Sequence, residues 1–452
     1  MIQRRTFLGG AAAAVGALAG LGMLAGCTPG PKDPNQIRLW GVGGDQRPVE
    51  KKIITAYGAV APDISVVNST VPSNGTGDAT SIITAVRGGT APDLWYMDAF
   101  SCAQYASLGL LESITPLIEK YEDQNFLDQW LQFSVDSLSL NGQVYGLPMD
   151  TDTRVLYYNK KLLRAVGVDL DEFDPKNGPP TIERVLEISH KLTKKDGRGN
   201  YTRLGLIPWD GEAWAYTWSL GNQATFFDDS NCSIDLTAKP ILDAYTFLYD
   251  QARDMDFGKV DAFKATYEPP NHPPAQTSFQ GEQQGFLIAQ PIVKSLNKYV
   301  PDLDYGFTYL PVAHAGDKPY TWSGGFSLVA PKGSSMTKEM WDFMKFYCGK
   351  PGQDIYMPAV GAVPTQREVL KSTDPAITSL GLLVDQLKFS TSRPPFPVSQ
   401  IWWDSMAQAQ DSVKLGTKTP IEALETAQAR VAPQMELYCP FKLPKGFGAT
   451  GV

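Results

Sequence analysis

From residue 37 the chain alternates short strand-like runs with amphipathic helical ones, and this alternation limits the fold more than any other feature. Ile37–Val42 reads as a strand, Pro48–Tyr57 as a helix, Ile64–Ser69 as a strand, Ala79–Val86 as a helix and Pro92–Met97 as a third strand. Strands alternating with helices of this length build parallel sheets covered on both faces. Ligands of such sheets sit where loops leave the carboxyl ends of the strands. The loops to watch are therefore Gly43–Arg47, Thr70–Gly77 and Asp98–Ser101. At 452 residues the chain is too long for one core, so two domains are expected.

Helix-start chemistry recurs further along. Thr115-Pro116 places a capping hydroxyl before a proline suited to a first turn. Thr181 precedes Ile182, Val185, Leu186 and Leu192, the stripe of a surface helix facing a core. Thr419-Pro420-Ile421-Glu422 combines a capping box with proline at the first position. Glu268–Pro274 and Arg393–Pro397, both rich in proline, read as surface loops.

The first 27 residues are of another kind. Arg4-Arg5 opens an uncharged run of Ala, Gly, Leu and Val that ends at Leu24-Ala25-Gly26-Cys27, followed by the polar, Pro-containing stretch 28–35. A basic start, an apolar middle and small residues before a cut make a cleavable export signal over residues 1–26. The paired arginines with Phe7-Leu8 resemble the twin-arginine signal. Leu-Ala-Gly-Cys resembles the bacterial lipobox, which implies that Cys27 is acylated and that residues 27–36 form a tether on the outer face of the cell membrane. Without residues 1–26 the formal charge moves from −8 to −10, which argues against nucleic acid as a partner, since phosphate binding needs a concentrated basic face. Cys102, Cys232, Cys348 and Cys439 are too widely spaced for a zinc knuckle. Outside the cytoplasm they allow two disulfides in three pairings, or buried thiols, and the spacing does not choose.

A resemblance emerges from the order of short motifs. Gly88-Gly89-Thr90-Ala91-Pro92-Asp93-Leu94, then Tyr105–Leu111 with Ile114-Thr115-Pro116, then Asn141–Pro148 with Leu156-Tyr157-Tyr158-Asn159-Lys160, then Tyr305-Gly306-Phe307, Ser323–Phe326 and Gly361–Pro364 follow one another. This ordered set resembles the extracellular solute-binding proteins that include maltose-binding protein. The resemblance implies an α/β, two-lobe, periplasmic-binding-protein-like fold with a hinge and an interlobe cleft. It places residues 37–151 and 327–374 in one lobe and 152–326 and 375–452 in the other, with crossings near Asp150–Asp152, Phe326 and Thr373–Pro375. It further implies a monomer that captures a sugar or sugar derivative and delivers it to the permease subunits of an ABC importer, with no cofactor.

A sugar is selected by stacking rings on its C–H faces and by aiming carboxylates, amides and guanidinium groups at its hydroxyls. Pro208–Trp214 packs two indoles and two acids into one loop, so Trp209 or Trp214 is expected as a platform and Glu212 as an acceptor; the alternative packs these rings under the following helix. By resemblance, Trp402-Trp403 stands where the maltose binder has a stacking Trp. Adjacent helical positions diverge by about 100°, and Trp402 is assigned to the ligand. Met97–Ser101 departs from the maltose binder, which puts maltose itself in doubt and leaves Asp98 and Phe100 as acceptor and platform. Asp150, Asp152 and Arg154 share one face of an extended segment, and Asp152 matches a sugar-contacting acid. Arg154 either binds ligand or neutralises the acids. Asp45 resembles a first-loop ligand acid, and Gly324 and Gly325 allow backbone N–H groups close approach, flanked by Trp322 and Phe326.

Two rival readings are a secreted carbohydrate-active enzyme and a surface binding protein without transport. Asp150 and Asp152 are too close in sequence to oppose each other across a substrate, which leaves Asp152 with Glu212 as the pair an enzyme would use. Nucleophile-elbow, zincin, P-loop and dinucleotide motifs do not occur, and the three histidines are scattered.

Overall fold

A computed structural model describes residues 33, 35–70, 80–273, 276–444 and 447. The signal, Cys27 and most of the loop Thr70–Gly77 lie outside these residues.

The five predicted elements appear within three residues of their expected ends, as the strands Gln36–Gly41, Ser65–Thr70 and Leu94–Asp98 and the helices Arg47–Val60 and Thr80–Arg87. Burial follows from composition. Leu94–Asp98 is buried at every position, as a central strand covered on both faces must be. Ser65–Thr70, with its Ser, Asn and Thr, is the exposed edge. The three strands run parallel in the order Ser65–Thr70, Gln36–Gly41, Leu94–Asp98. Next to Leu94–Asp98 lies Phe326–Pro331, antiparallel and brought from far along the chain, with Phe326 opposite Asp98. It also pairs with Leu111–Glu112 and Gly146–Pro148. The core of this lobe gathers Leu39, Ile53, Leu94, Leu147 and Leu328 with Trp341, Phe343 and Tyr347 of the helix Lys338–Cys348.

The second lobe departs from the parallel pattern. Its sheet has the fully buried Val155–Asn159 in the middle, flanked antiparallel by Phe286–Ala289 and Tyr305–Thr308. Long helical excursions separate these strands and supply its larger core, in which Leu156, Val185, Ile188, Tyr245, Leu248 and Leu424 meet. Thr181 caps its helix by accepting from Arg184 N at 3.2 Å, and the Thr419–Glu422 capping box is complete. Thr115 does not cap. It lies inside its helix and accepts from Val144 N, while Ser113 Oγ accepts from Thr115 N at 3.1 Å.

Two short strand pairs lie beside these sheets. Asp150–Thr151 pairs antiparallel with Val363–Pro364, and Thr321–Ser323 pairs parallel with Ser390–Ser392. Between Ser323 and Phe326 the backbone bends at Gly325, where φ is +149° and a Cβ would stand 2.1 Å from the Asp150 carbonyl oxygen. Only glycine fits this approach.

Cys232 and Cys439 form a disulfide, whereas Cys102 and Cys348 are buried thiols whose pKa burial pushes up. The bridge pins the segment after the last helix, Pro420–Glu436, beside Phe227 and Phe396, which meet Phe441. It closes a loop of 207 residues, so replacing both cysteines with Ser is expected to lower unfolding free energy by about 2–4 kcal/mol. Denaturant titration of the oxidised protein against the double variant checks this.

Candidate ligand-binding cleft

The mouth between the lobes is organised around Arg154, which is 4% exposed. Its Nη1 donates to Asp152 and to the Trp322 carbonyl, and Nε and Nη2 both donate to Glu212 at 3.3 Å. The guanidinium lies 3.3 Å from the Trp322 ring centre. Asp152 in turn accepts from Gly324 N at 2.7 Å, and Glu212 accepts from Gln290 Nε2 at 3.0 Å. A guanidinium removed from water is tolerated only with partners of this quality. Of the two roles open to Arg154, this geometry is that of neutralising acids, although the acids are Asp152 and Glu212.

Asp150 does not join them. Its carboxylate accepts from Phe326 N at 2.7 Å and from Tyr96 Oη at 3.3 Å, and the Phe326 ring stacks on Tyr96 at 5.1 Å. Burial, with Asp152 and Asp98 nearby, holds the Asp150 carboxyl up at about 7, against the pull of these two hydrogen bonds. The cavity beside it is lined by Ala99, Phe100, Ser137, Gly325, Ser392 and Arg393, among others, and its enclosed part has room for about one or two waters. Ser392 Oγ, buried on this wall, has no hydrogen-bond partner among the described residues.

Asp98 caps the turn Ala99–Ser101 by accepting from Phe100 N at 3.0 Å, and it also receives Arg393 Nη2. Phe100 is 5% exposed, and its ring reaches into the aromatic cluster of the other lobe. Trp322 is buried, donating through Nε1 to Thr217 Oγ1 at 2.9 Å.

Several expected platforms are placed elsewhere. Trp402 is fully buried, enclosed by Phe396, Phe226, Tyr216 and, from the other lobe, Phe100; its neighbour Trp403, turned by the helical step, is half-buried and meets Trp214 at 5.7 Å. Trp209 packs on Phe257 of the helix Phe257–Tyr267, and Trp218, within the helix Ala215–Gly221, donates to the Pro208 carbonyl. Gly324 N and Gly325 serve Asp152 and the Asp150 backbone. Asp45 stands in the turn Gly44–Gln46, and its side chain lies outside the described part of the structure. Arg393–Pro397 is no surface loop: Pro394, Pro395, Phe396 and Pro397 are buried. Sequence reasoning missed Arg393 because prolines signal turns; the usable signal was Phe396 among them, an aromatic that needs cover.

Two lobes, linking strands and an acid-and-aromatic mouth match a known pattern. The sequence pattern of the bacterial extracellular solute-binding protein family fits residues 43–354. The chain belongs to that family. A maltotriose-binding protein of Pyrococcus abyssi is 22% identical to this solute-binding protein over 411 residues, covering 86% of this chain and 78% of its own. CpMnBP1 with mannobiose bound superposes with a TM-score of 0.74 at 22% identity, covering 88% of this chain and 99% of its own. The GacH receptor of Streptomyces glaucescens does so at 0.70 and 18%, covering 90% and 99%. At these identities the structural likeness establishes the fold.

Asp150 gives the cleft a measurable signature. An unfolded Asp loses its proton near pH 3.9, whereas the folded group keeps it to about 7. Between these values the folded state binds more protons, so this contribution to stability is present below about pH 4 and is lost as pH rises through 7. Urea unfolding of wild type and Asp150→Asn from pH 4.5 to 7.5 should show a difference that declines with pH, by up to about 1.4 kcal/mol per unit. A flat difference would mean that the folded group is ionised throughout.

Proposed function

We propose that this solute-binding protein captures a sugar, oligosaccharide or sugar derivative between its lobes and passes it unchanged to the permease subunits of an ABC importer. The observation that carries the reading is the make-up of the mouth. Asp150, Phe100, Phe326, Ser137, Ser392 and Arg393 line one small cavity, Asp98 pairs with Arg393 at its edge, and Trp403 meets Phe100 at 5.9 Å. A pyranose offers the complement of this surface: apolar C–H faces and a rim of hydroxyls that donate and accept. The maltotriose, mannobiose and acarbose named for the relatives support the same chemistry.

Export and anchoring belong to the proposal. The leader 1–26 with Arg4-Arg5 directs the chain outward, and acyl chains on Cys27 hold it at the membrane. Among the described residues no helix is long and apolar enough to cross a membrane. Cys27→Ser should lose palmitate labelling and appear in the medium; retained labelling would refute the anchor.

A thermal-shift panel containing maltotriose, mannobiose and arabino-oligosaccharides tests the sugar reading. A sugar held at a hundred times its Kd adds about 2.7 kcal/mol to the folded state, so at least one should raise Tm, and mass spectrometry should recover it unaltered. Trp403→Ala should remove the shift. Trp402→Ala should instead cost about 3–5 kcal/mol of stability with or without sugar, as for any large aromatic cut from a core. A panel with no shift, or a cleaved sugar, would defeat the reading.

A further inference from the structure

The lobes are tied at the mouth by groups of the chain itself, and the tie uses the chemistry expected of the guest. Arg393 follows the linking strand Ser390–Ser392. Its guanidinium lies 4.0 Å from the ring centre of Phe100 and 5.1 Å from that of Trp403. Its Nη2 donates to the two Asp98 oxygens at 3.2 and 3.1 Å. A guanidinium is flat, stacks on aromatic faces and donates in its plane to carboxylates. A sugar ring satisfies the same two groups, with a C–H face for the rings and hydroxyls for the acid.

Two further contacts cross the same gap. Phe100, from the lobe that carries Asp98, meets Trp402 and Trp403 of the other at 6.2 and 5.9 Å. Gln104 Oε1 accepts from Gln400 N at 2.8 Å and Ser399 Oγ at 3.2 Å, at the start of the helix Ser399–Leu415. The Arg393 and Asp98 side chains are only 11% and 12% exposed, so salt screens their pairing little. Arg393 lines the small cavity beside Asp150, whereas Trp403 lines an apolar pocket with Trp214 and Tyr216. The guanidinium therefore covers the Trp403 ring from the cavity side.

We propose that Arg393 is an internal occupant of the stacking subsite. It holds Asp98 and the faces of Phe100 and Trp403, draws the lobes together when no sugar is present, and is exchanged for a sugar ring on binding. The exchange rests on the sugar-binding reading; the tie between lobes does not. Because only molecules in which Arg393 has swung away are competent, the occupant lowers apparent affinity by the competent fraction. Arg393 thus sets how strongly a ring must stack before it is retained, which makes it a specificity-determining residue.

Small-angle scattering of the full chain without added sugar tests the tie. Arg393→Ala and the planar, neutral Arg393→Gln should both give a larger radius of gyration than wild type, with matching far-ultraviolet dichroism, and Arg393→Lys should fall between. Superimposable scattering curves for folded variants would overturn the proposal. Calorimetric titration with maltotriose and with mannobiose tests the exchange: whichever binds wild type should bind Arg393→Ala about tenfold more tightly, a gain equivalent to about 1.4 kcal/mol. Weaker binding would make Arg393 a ligand contact and overturn the exchange. If neither sugar binds either protein, the sugar reading fails on its own, while the scattering still decides the tie.

Discussion

A guanidinium withdrawn from water costs several kcal/mol unless its donors and its charge are met, and Arg154 is withdrawn almost completely. Everything that meets it belongs to a different part of the chain. Asp152 is on the link between lobes, Glu212 on the loop before the helix Ala215–Gly221, and the Trp322 carbonyl on the strand paired to Ser390–Ser392. The charge thereby draws three segments to one point, and the Trp322 ring beneath it is fixed from below by Thr217. Removing any one acid would leave the rest paying for an uncompensated charge, so the linking segments cannot shift independently on the side of the second lobe.

The first lobe meets the same link through different forces. Asp150 sits two residues before Asp152 but turns to Phe326 N and Tyr96, inside a sheet whose partner strand arrives from far along the chain. One short stretch thus offers consecutive carboxylates to opposite lobes. Alternation of side chains along an extended segment predicts that Asp150 and Asp152 lie together; the strand ends at Thr151, and the two carboxylates take different partners, Phe326 N and Tyr96 for Asp150 and Gly324 N and Arg154 for Asp152.

What could be read from the residues follows from the range of the forces involved. Local hydrogen bonding made Thr181 and the Thr419–Glu422 box legible, and period-two and period-3.6 hydrophobicity located the first three strands within two residues. The partner of the sheet's central strand was not legible from periodicity, since Phe326–Pro331 pairs with it across more than two hundred positions. At the site, the resemblance and the make-up of the Pro208–Trp214 loop drew attention to Asp98, Phe100, Asp152, Arg154, Glu212 and Trp322; the structure groups Asp152, Arg154, Glu212 and Trp322 at one point and Asp98 with Phe100 around Arg393 at another. Which member of Trp402-Trp403 faces inward depends on the rotation of the helix against its neighbours, a tertiary quantity. Phe396 fills the space that decides it, and Phe396 lies in the proline-rich stretch that reads as a loop.

The charges of the mouth also bear on what it can hold. Asp98 is matched by Arg393, and Asp152 and Glu212 together by Arg154, while Asp150 keeps its proton to about neutrality. Two cations against three committed acids leave the wall slightly negative, with no cation among these groups that lacks an acid. An anionic solute would have to take a guanidinium from a carboxylate and leave that carboxylate buried and unpaired, at a cost of several kcal/mol. A neutral polyhydroxylated solute that takes the place of Arg393 also uncovers Asp98, but it brings no charge of its own, and its hydroxyls can donate to that acid and accept from the donor they displace. On the proposed reading, the arrangement therefore favours uncharged rings over charged ones. It does so through the mutual pairing of the protein's own charges, without any group placed to repel an anion.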